Sequence, residues 1–289
     1  MTDKPIVVGH DGSESASRAT AWAAAEAVRK GVSLVIVRCC PPVQADVPHL
    51  VPLPRSFDEA LVEQAKSELQ AAWEVTSAAA PTISVSTVFT RAQPVRALVE
   101  QSSLAQLIVL GSRGIGGVTG MFIGSTAVAL AAHGRCPTAV VRSGTPNTGP
   151  VVLGVHDSLG AEAIEFAFDA AQRRDVPLLA VHTWQDRTLA TGFSPVPYVV
   201  DADVVTAAGH KLIDETLAPV VDRYPGVAVH RVVVRERPAL ALIEQSKHAQ
   251  LVVVGSHGRH AFSGAVLGST SHALLHHAEC PVVIARNPV

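Results

Sequence analysis

Cysteine, aromatic side chains and unbalanced charge are all scarce in this chain, and each shortage excludes something. Only four cysteines occur among 289 residues. Cys39 and Cys40 are adjacent, Cys136 and Cys280 each precede a proline, and there is no C-x-x-C. This spacing argues against a disulfide framework or a zinc site and for packed thiols in a reducing compartment. The 23 basic and 25 acidic residues leave a formal net charge of −2 with no long run of either sign. The electrostatic footprint of nucleic-acid binding is therefore missing, and an anionic ligand would have to be held by local backbone geometry. No apolar run approaches the roughly 18 residues of a membrane span. The opening MTDKPIVVGHDGS has neither the basic flank nor the apolar core of a secretory signal, so a cytoplasmic protein is expected.

What is abundant is aliphatic. The chain is 48% hydrophobic but 4% aromatic, rich in Ala and Val, which suits an α/β protein whose parallel strands are buried on both faces. Its length favours two domains.

An internal repeat supports that division. The segment VSTVFTRAQPVRALVEQSSLAQLIVLGSRG from Val85 aligns without gaps on VHRVVVRERPALALIEQSKHAQLVVVGSHG from Val229, an offset of 144. The match continues through Gly124-Ser125-Thr126 against Gly268-Ser269-Thr270, and Cys136-Pro137 against Cys280-Pro281. The N-terminal parts, IVVGHDGSESASRATAWAAAEA and VVLGVHDSLGAEAIEFAFDAAQ, are set at an offset of 146, which pairs Asp11 with Asp157. The linker Ser143–Gly149 separates expected domains 1–145 and 150–289.

In the first half, hydrophobic periods predict strands at Ile6–Val8, Ser33–Arg38, Ser84–Phe89, Leu107–Leu110 and Thr138–Val141. Helices are predicted over Ser15–Arg29, Asp58–Ala79, Pro94–Ser102 and Ser125–Ala132, with a proline-rich stretch at Cys40–Ser56. The second half repeats the order. Such alternation reads as βαβ units forming a parallel sheet with helices on both faces.

Ligands of such sheets bind beyond the carboxyl ends of the strands. After the fourth strand comes Gly111-Ser-Arg-Gly114, nine residues, then Gly124-Ser125; the second half has Gly255-Ser-His-Gly258, nine residues, then Gly268-Ser269. Glycines admit a phosphate close to the backbone, and the following helix offers unpaired N–H groups and its positive dipole end. Glycines after a strand can also simply turn the chain. Equal spacing in two otherwise diverged halves favours phosphate binding.

The pattern G-x2-G-x9-G-[S/T] resembles the ATP-binding signature of the universal stress protein family, and the chain is similar to tandem, two-domain members of the kind found in mycobacteria and related actinobacteria. The resemblance covers nearly the whole chain. It implies two tandem doubly wound α/β domains, each a five-stranded parallel sheet of order 3-2-1-4-5, and one ATP per domain, with or without Mg2+. It also implies Asp11, matched by Asp157, near adenine and ribose, and backbone groups at about Cys39, matched by Thr183, facing adenine. Gly111, Gly114, Gly124 and Ser125, then Gly255, Gly258, Gly268 and Ser269, would hold ribose and phosphates, with Arg113 and His257 near the same loops. Pairing through the last strands, within the chain or in a homodimer, is implied as well. An alternative for Asp11 is capping of the helix that follows it.

Catalytic machinery is not evident. No G-x-x-x-x-G-K-[ST] occurs, neither glycine loop contains lysine, and a dinucleotide fingerprint fails where Thr119 stands for the required Gly or Ala. A regulatory ATP-binding protein of stress response or growth arrest is the preferred reading over a slow ATPase or nucleotidyl-transferring enzyme. Of 13 histidines, His272 and His276 have i, i+4 spacing but no H-E-x-x-H frame, and read as surface or interface residues. His10 and His156 are expected to turn away from the ligand by strand alternation.

Overall fold

The computed structural model describes residues 4–42, 55–114, 123–142, 148–185, 201–256 and 267–286, with the side chain of Arg55 left aside. The chain divides into two compact units, Met1–Ser143 and Gly144–Asn287. Most of Ser143–Gly149, all but the ends of Cys40–Ser56, the segment Pro195–Tyr198, and Gly258 and His257 lie outside the described residues.

In the first unit the elements are β1 (Ile6–Gly9), α1 (Glu14–Lys30), β2 (Leu34–Cys39), α2 (Arg55–Ala79), β3 (Val85–Thr90), α3 (Pro94–Ser102), β4 (Leu107–Gly111), α4 (Ser125–His133) and β5 (Thr138–Val141). Apolar runs such as Ile6–Val8 and Leu107–Val109 are fully buried because helices cover both faces of the central strands. All strands run parallel in the order β3-β2-β1-β4-β5, so the reversal of strand order falls between β1 and β4. Helices α1 and α2 pack together on one face, and α3 and α4 on the other. Local chemistry fixes α1: the Ser13 hydroxyl accepts from Ala16 N, Gly31 closes the helix with φ 65°, Glu14 sits in the first turn, and Arg29 and Lys30 in the last.

The second unit runs β6 (Val151–Gly154), α5 (Ala161–Arg174), β7 (Leu178–Trp184), α6 (Ala202–Val221), β8 (Val229–Arg235), α7 (Pro238–Ser246), β9 (Leu251–Gly255), α8 (Ser269–His277) and β10 (Val282–Ala285). Its parallel sheet has the same order, β8-β7-β6-β9-β10. Among the described residues, no helix is long and apolar enough to cross a membrane.

Register corrects the offset at the N-terminal end of the repeat. Ile6 pairs with Leu34 and Leu107, and Val151 with Leu178 and Leu251. The strands that flank β1 map onto the second unit at 144, but β1 itself maps onto β6 at 145. The closing turns of α1 and α5, where Gly31 N–H reaches Ala27 and Val28 and Asp175 N–H reaches Ala171 and Gln172, return to 144. The turn between strand and helix is thus rebuilt in the second unit, and α5 has 14 residues where α1 has 17.

Packing differs at matched positions. In the second unit Phe168 of α5 is fully buried and stacks on Tyr224, with ring centroids 5.4 Å apart. Replacing Phe168 with Ala is expected to destabilise that unit by about 3–5 kcal/mol, the usual loss for a buried aromatic. A shift in the urea unfolding curve measures it.

Candidate functional site

The carboxyl ends of β1, β2 and β4 and the start of α4 enclose a cleft of ≈ 630 Å³ in the first unit. That volume falls within the roughly 300–1,000 Å³ of small-molecule sites. Asp11, Cys39, Gly111, Gly114, Gly124 and Ser125 all border it, so the six first-half candidates are brought together. Arg113, Val37, Leu98 and Thr126 border it too. Val37 was legible by strand alternation, since it shares a face of β2 with Cys39.

Asp11 organises the turn after β1. Its Oδ1 accepts from Ser13 N at 3.0 Å. The helix cap is therefore Ser13, whose hydroxyl accepts from Ala16 N at 3.1 Å, and the capping alternative for Asp11 does not hold. Gly12 adopts φ +88°, a conformation that favours glycine, and a side chain there would strike the Glu68 carboxylate. Arg38 donates to that same carboxylate at 2.6 Å, so an ion pair from β2 and α2 backs the turn. Across the cleft, Ser15 Oγ accepts from Arg113 N at 3.3 Å, tying the loop after β4 to the first turn of α1. A Cβ at Gly114 would lie 2.5 Å from Asp11 Oδ2, so the loop approaches the carboxylate as only glycine allows.

The far end of the loop is pinned by the strand it left. Ser112 N donates to Val141 O, and Gly124 N donates back to Ser112 O at 3.1 Å. Ser256 N to Ala285 O and Gly268 N to Ser256 O, the latter at 3.0 Å, repeat the arrangement in the second unit. Gly124 and Gly268 are the extended N-caps of α4 and α8, and neither helix has a side-chain cap. In α4 the amide of Ala127 donates to Gly124 O, which leaves those of Ser125 and Thr126, beside the cleft, beyond the reach of an intrahelical carbonyl. A Cβ at Gly124 would meet no heavy atom within 4 Å among the described residues. Packing among the described residues does not explain that glycine.

The second unit differs at the turn. Counted from the strand, His156 occupies the register position of Asp11, and Asp157 lies one residue further on, with a side chain 60% exposed. Ser158 N donates to His156 Nδ1 at 3.3 Å, in place of the Asp11–Ser13 contact. Thr183 is buried at the end of β7, while Gly255, Gly268 and Ser269 stand where the repeat predicts. His182 replaces Arg38 in register and donates from Nδ1 to Val155 O at 2.9 Å.

Burial pushes the Cys39 thiol up to about 11 and those of Cys136 and Cys280 to about 12, so all three stay protonated near neutrality. Among the described residues no group of three or more metal-ligating side chains assembles.

The sequence pattern of the universal stress protein family matches residues 3–142 and 148–286. A universal stress protein of Mycobacterium tuberculosis is 37% identical over 97% of this chain and 96% of its own length. One from Mycolicibacterium smegmatis is 35% identical over 99% and 98% respectively. The fold resembles the crystal structure of a universal stress protein from Archaeoglobus fulgidus, with TM-score 0.71, 16% identity and 99% of both chains covered.

His10 stands beside Asp11 but its ring turns toward α1. Thr20 Oγ1 donates to Ala16 O, so its oxygen accepts from His10 Nδ1 at 3.2 Å. Burial lowers the His10 pKa below its ordinary 6.5, with Arg38 adding to the fall and Asp11, the Ala16 backbone and Glu68 opposing it. The unfolded chain then binds a proton that the folded chain refuses, so stability falls as pH drops below 6.5 and is retained above it. An NMR titration is expected to place His10 below 6.5, and His10→Gln to remove its share of the acid destabilisation.

Proposed function

The chain belongs to the universal stress protein family, and we propose that each half binds ATP, with or without Mg2+, in a regulatory role in stress response or growth arrest without fast catalysis. The observation that carries this reading is the open, uncapped start of α4 at Gly124. Among the described residues, a glycine there is demanded neither by positive φ nor by a packed neighbour. A bound phosphate supplies the missing reason, because it needs both the amides and the space.

The residues present fit such a ligand. Amides at Ser125 and Thr126 and the Ser125 hydroxyl would hold phosphate oxygens, favoured by the helix dipole. Asp11 would accept from ribose hydroxyls, and Val37 and Cys39 would flank the base, Cys39 through its backbone. The second half would use Asp157, Thr183, Gly255, Gly258, Gly268 and Ser269. Its displaced and exposed Asp157 implies weaker binding than in the first half. The described lining contains no lysine, and Asp11 is engaged with Ser13, which favours binding over turnover. Self-association through a last strand and a cytoplasmic location belong to the same reading.

Denaturing the purified protein and identifying released nucleotide by chromatography tests it; no nucleotide, together with no ATP binding by calorimetry, refutes it. Gly124→Glu is expected to leave the fold intact, since its Cβ meets nothing among the described residues, while like-charge repulsion lowers ATP affinity in the first half about a hundredfold or more. Gly268→Glu is expected to do the same in the second half. Asp11→Ala is expected to cost about tenfold, the scale of one lost polar contact. Calorimetric stoichiometry and affinity check all three.

A further inference from the structure

A second concavity in the first unit lies outside the cleft, between α1 and α2. This groove encloses ≈ 670 Å³. Four of the residues along it are Ala21 and Ala24 of α1, Ala79 at the end of α2 and Ala80 just after it. The closing turns of both helices map onto the second unit at 144, as Ala27 with Ala171 as acceptor for Val32 and Val176, and Ile83 N to Ala80 O with Val227 N to Tyr224 O, show. The counterparts of the four alanines are therefore Glu165, Phe168, Arg223 and Tyr224. In the second unit these four side chains form two pairs: Phe168 stacks on Tyr224, and Arg223 donates to Glu165 at 2.6 Å. The first unit thus has a groove lined by alanines where its own duplicate has a pair of stacked rings and an ion pair.

We propose that the α1–α2 groove of the first unit is a binding site for a small, neutral, aromatic molecule of about two rings. The duplicate shows what the matched positions accommodate: a pair of stacked aromatic rings, one on α5 and one just beyond the end of α6. The charge around the groove requires a neutral occupant. Of the ionisable groups that border it, Arg29 donates to Glu26, Glu68 accepts from Arg38 and His10 donates to Thr20, so each is engaged within the protein. Its hydroxyls are engaged as well, Ser17 with Ser13 O, Thr20 with Ala16 O and Thr76 with Ala72 O. The floor lies deep, Ala24 and Ala80 being 5% and 3% exposed, whereas the rim is apolar, with Val28 at 42% and Val75 at 72%. A compact ring system can pass that rim and reach the floor, and its burial supplies roughly 25 cal/mol per Å² of apolar surface.

The site does not depend on nucleotide binding, and its test is independent of it. The probe is 2-naphthol, titrated calorimetrically into the full chain. Saturable binding at one site per chain is expected. The double variant Ala21→Glu with Ala79→Arg, which transplants the ion pair onto exposed positions, is expected to weaken it at least tenfold, and Ala24→Phe to abolish it. ATP affinity is expected to be the same in the double variant as in the parent. No saturable binding by the parent, or unchanged binding by a folded double variant, overturns the proposal, the latter because the naphthol then sits elsewhere. Self-association that the double variant abolishes, without naphthol binding, also overturns it and gives the groove to an aromatic side chain of a protein partner.

Discussion

A parallel sheet covered on both faces has only one place to put polar chemistry, the ends of its strands. Everything else about each unit follows from that constraint. The fully buried runs of β1 and β4 leave no room for a charge along the strands. Because the chain leaves β1 toward β2 on one side and returns at β4 on the other, the two connecting segments diverge and leave a crevice between them. The turn after β1, the end of β2, the loop after β4 and the start of α4 all open into it. The site is a consequence of topology before any side chain is chosen.

Side chains then decide how rigid the crevice is. In the first unit the turn at Asp11 is held from three directions: by its own amide at Ser13, by the Arg38–Glu68 pair behind Gly12, and by the contacts of Ser15 with the opposite loop. An exposed ion pair contributes little, but Arg38 is nearly buried and Glu68 largely so, which makes this pair dependent on its geometry. The second unit has lost the pair, since His182 stands in the register of Arg38 and turns to a backbone carbonyl. Its turn is rebuilt around His156, and the carboxylate next to it is largely exposed and accepts from Ser158 Oγ. The loops after β4 and β9, in contrast, are closed by the same two hydrogen bonds in both units. Anchoring of the glycine loop has been kept through the duplication while the support of the aspartate has not.

Much of this was legible in the sequence. Hydrophobic period gave every strand and helix of the first half to within three residues at either end, because buried parallel strands and Ala-rich helices write strong patterns. The loop residues were legible because the repeat supplied an internal comparison. What remained hidden was the turn of the second half. A one-residue change in register leaves two aspartates in similar surroundings, and only strand pairing shows that Asp157 is not the positional equivalent of Asp11. The roles of Ser13, Ser15 and Glu68 were hidden for another reason. Their partners lie across a turn or on another element, and no local pattern records such contacts.

The groove between α1 and α2 was hidden too. Alanine is the best helix former and is unremarkable in any one helix, so a composition rich in it reads only as helix. Its meaning changes when the matched positions of the other half are Glu165, Phe168, Arg223 and Tyr224, an ion pair and a pair of stacked rings. Losing one member of such a group would leave an unpaired charge or a half-stacked ring, each of which costs stability. Alanine at all four positions removes the charges and the rings together. The open groove therefore carries no residual defect of the packing seen in the other half, and a concavity free of unpaired charge and half-stacked rings has the form of a site.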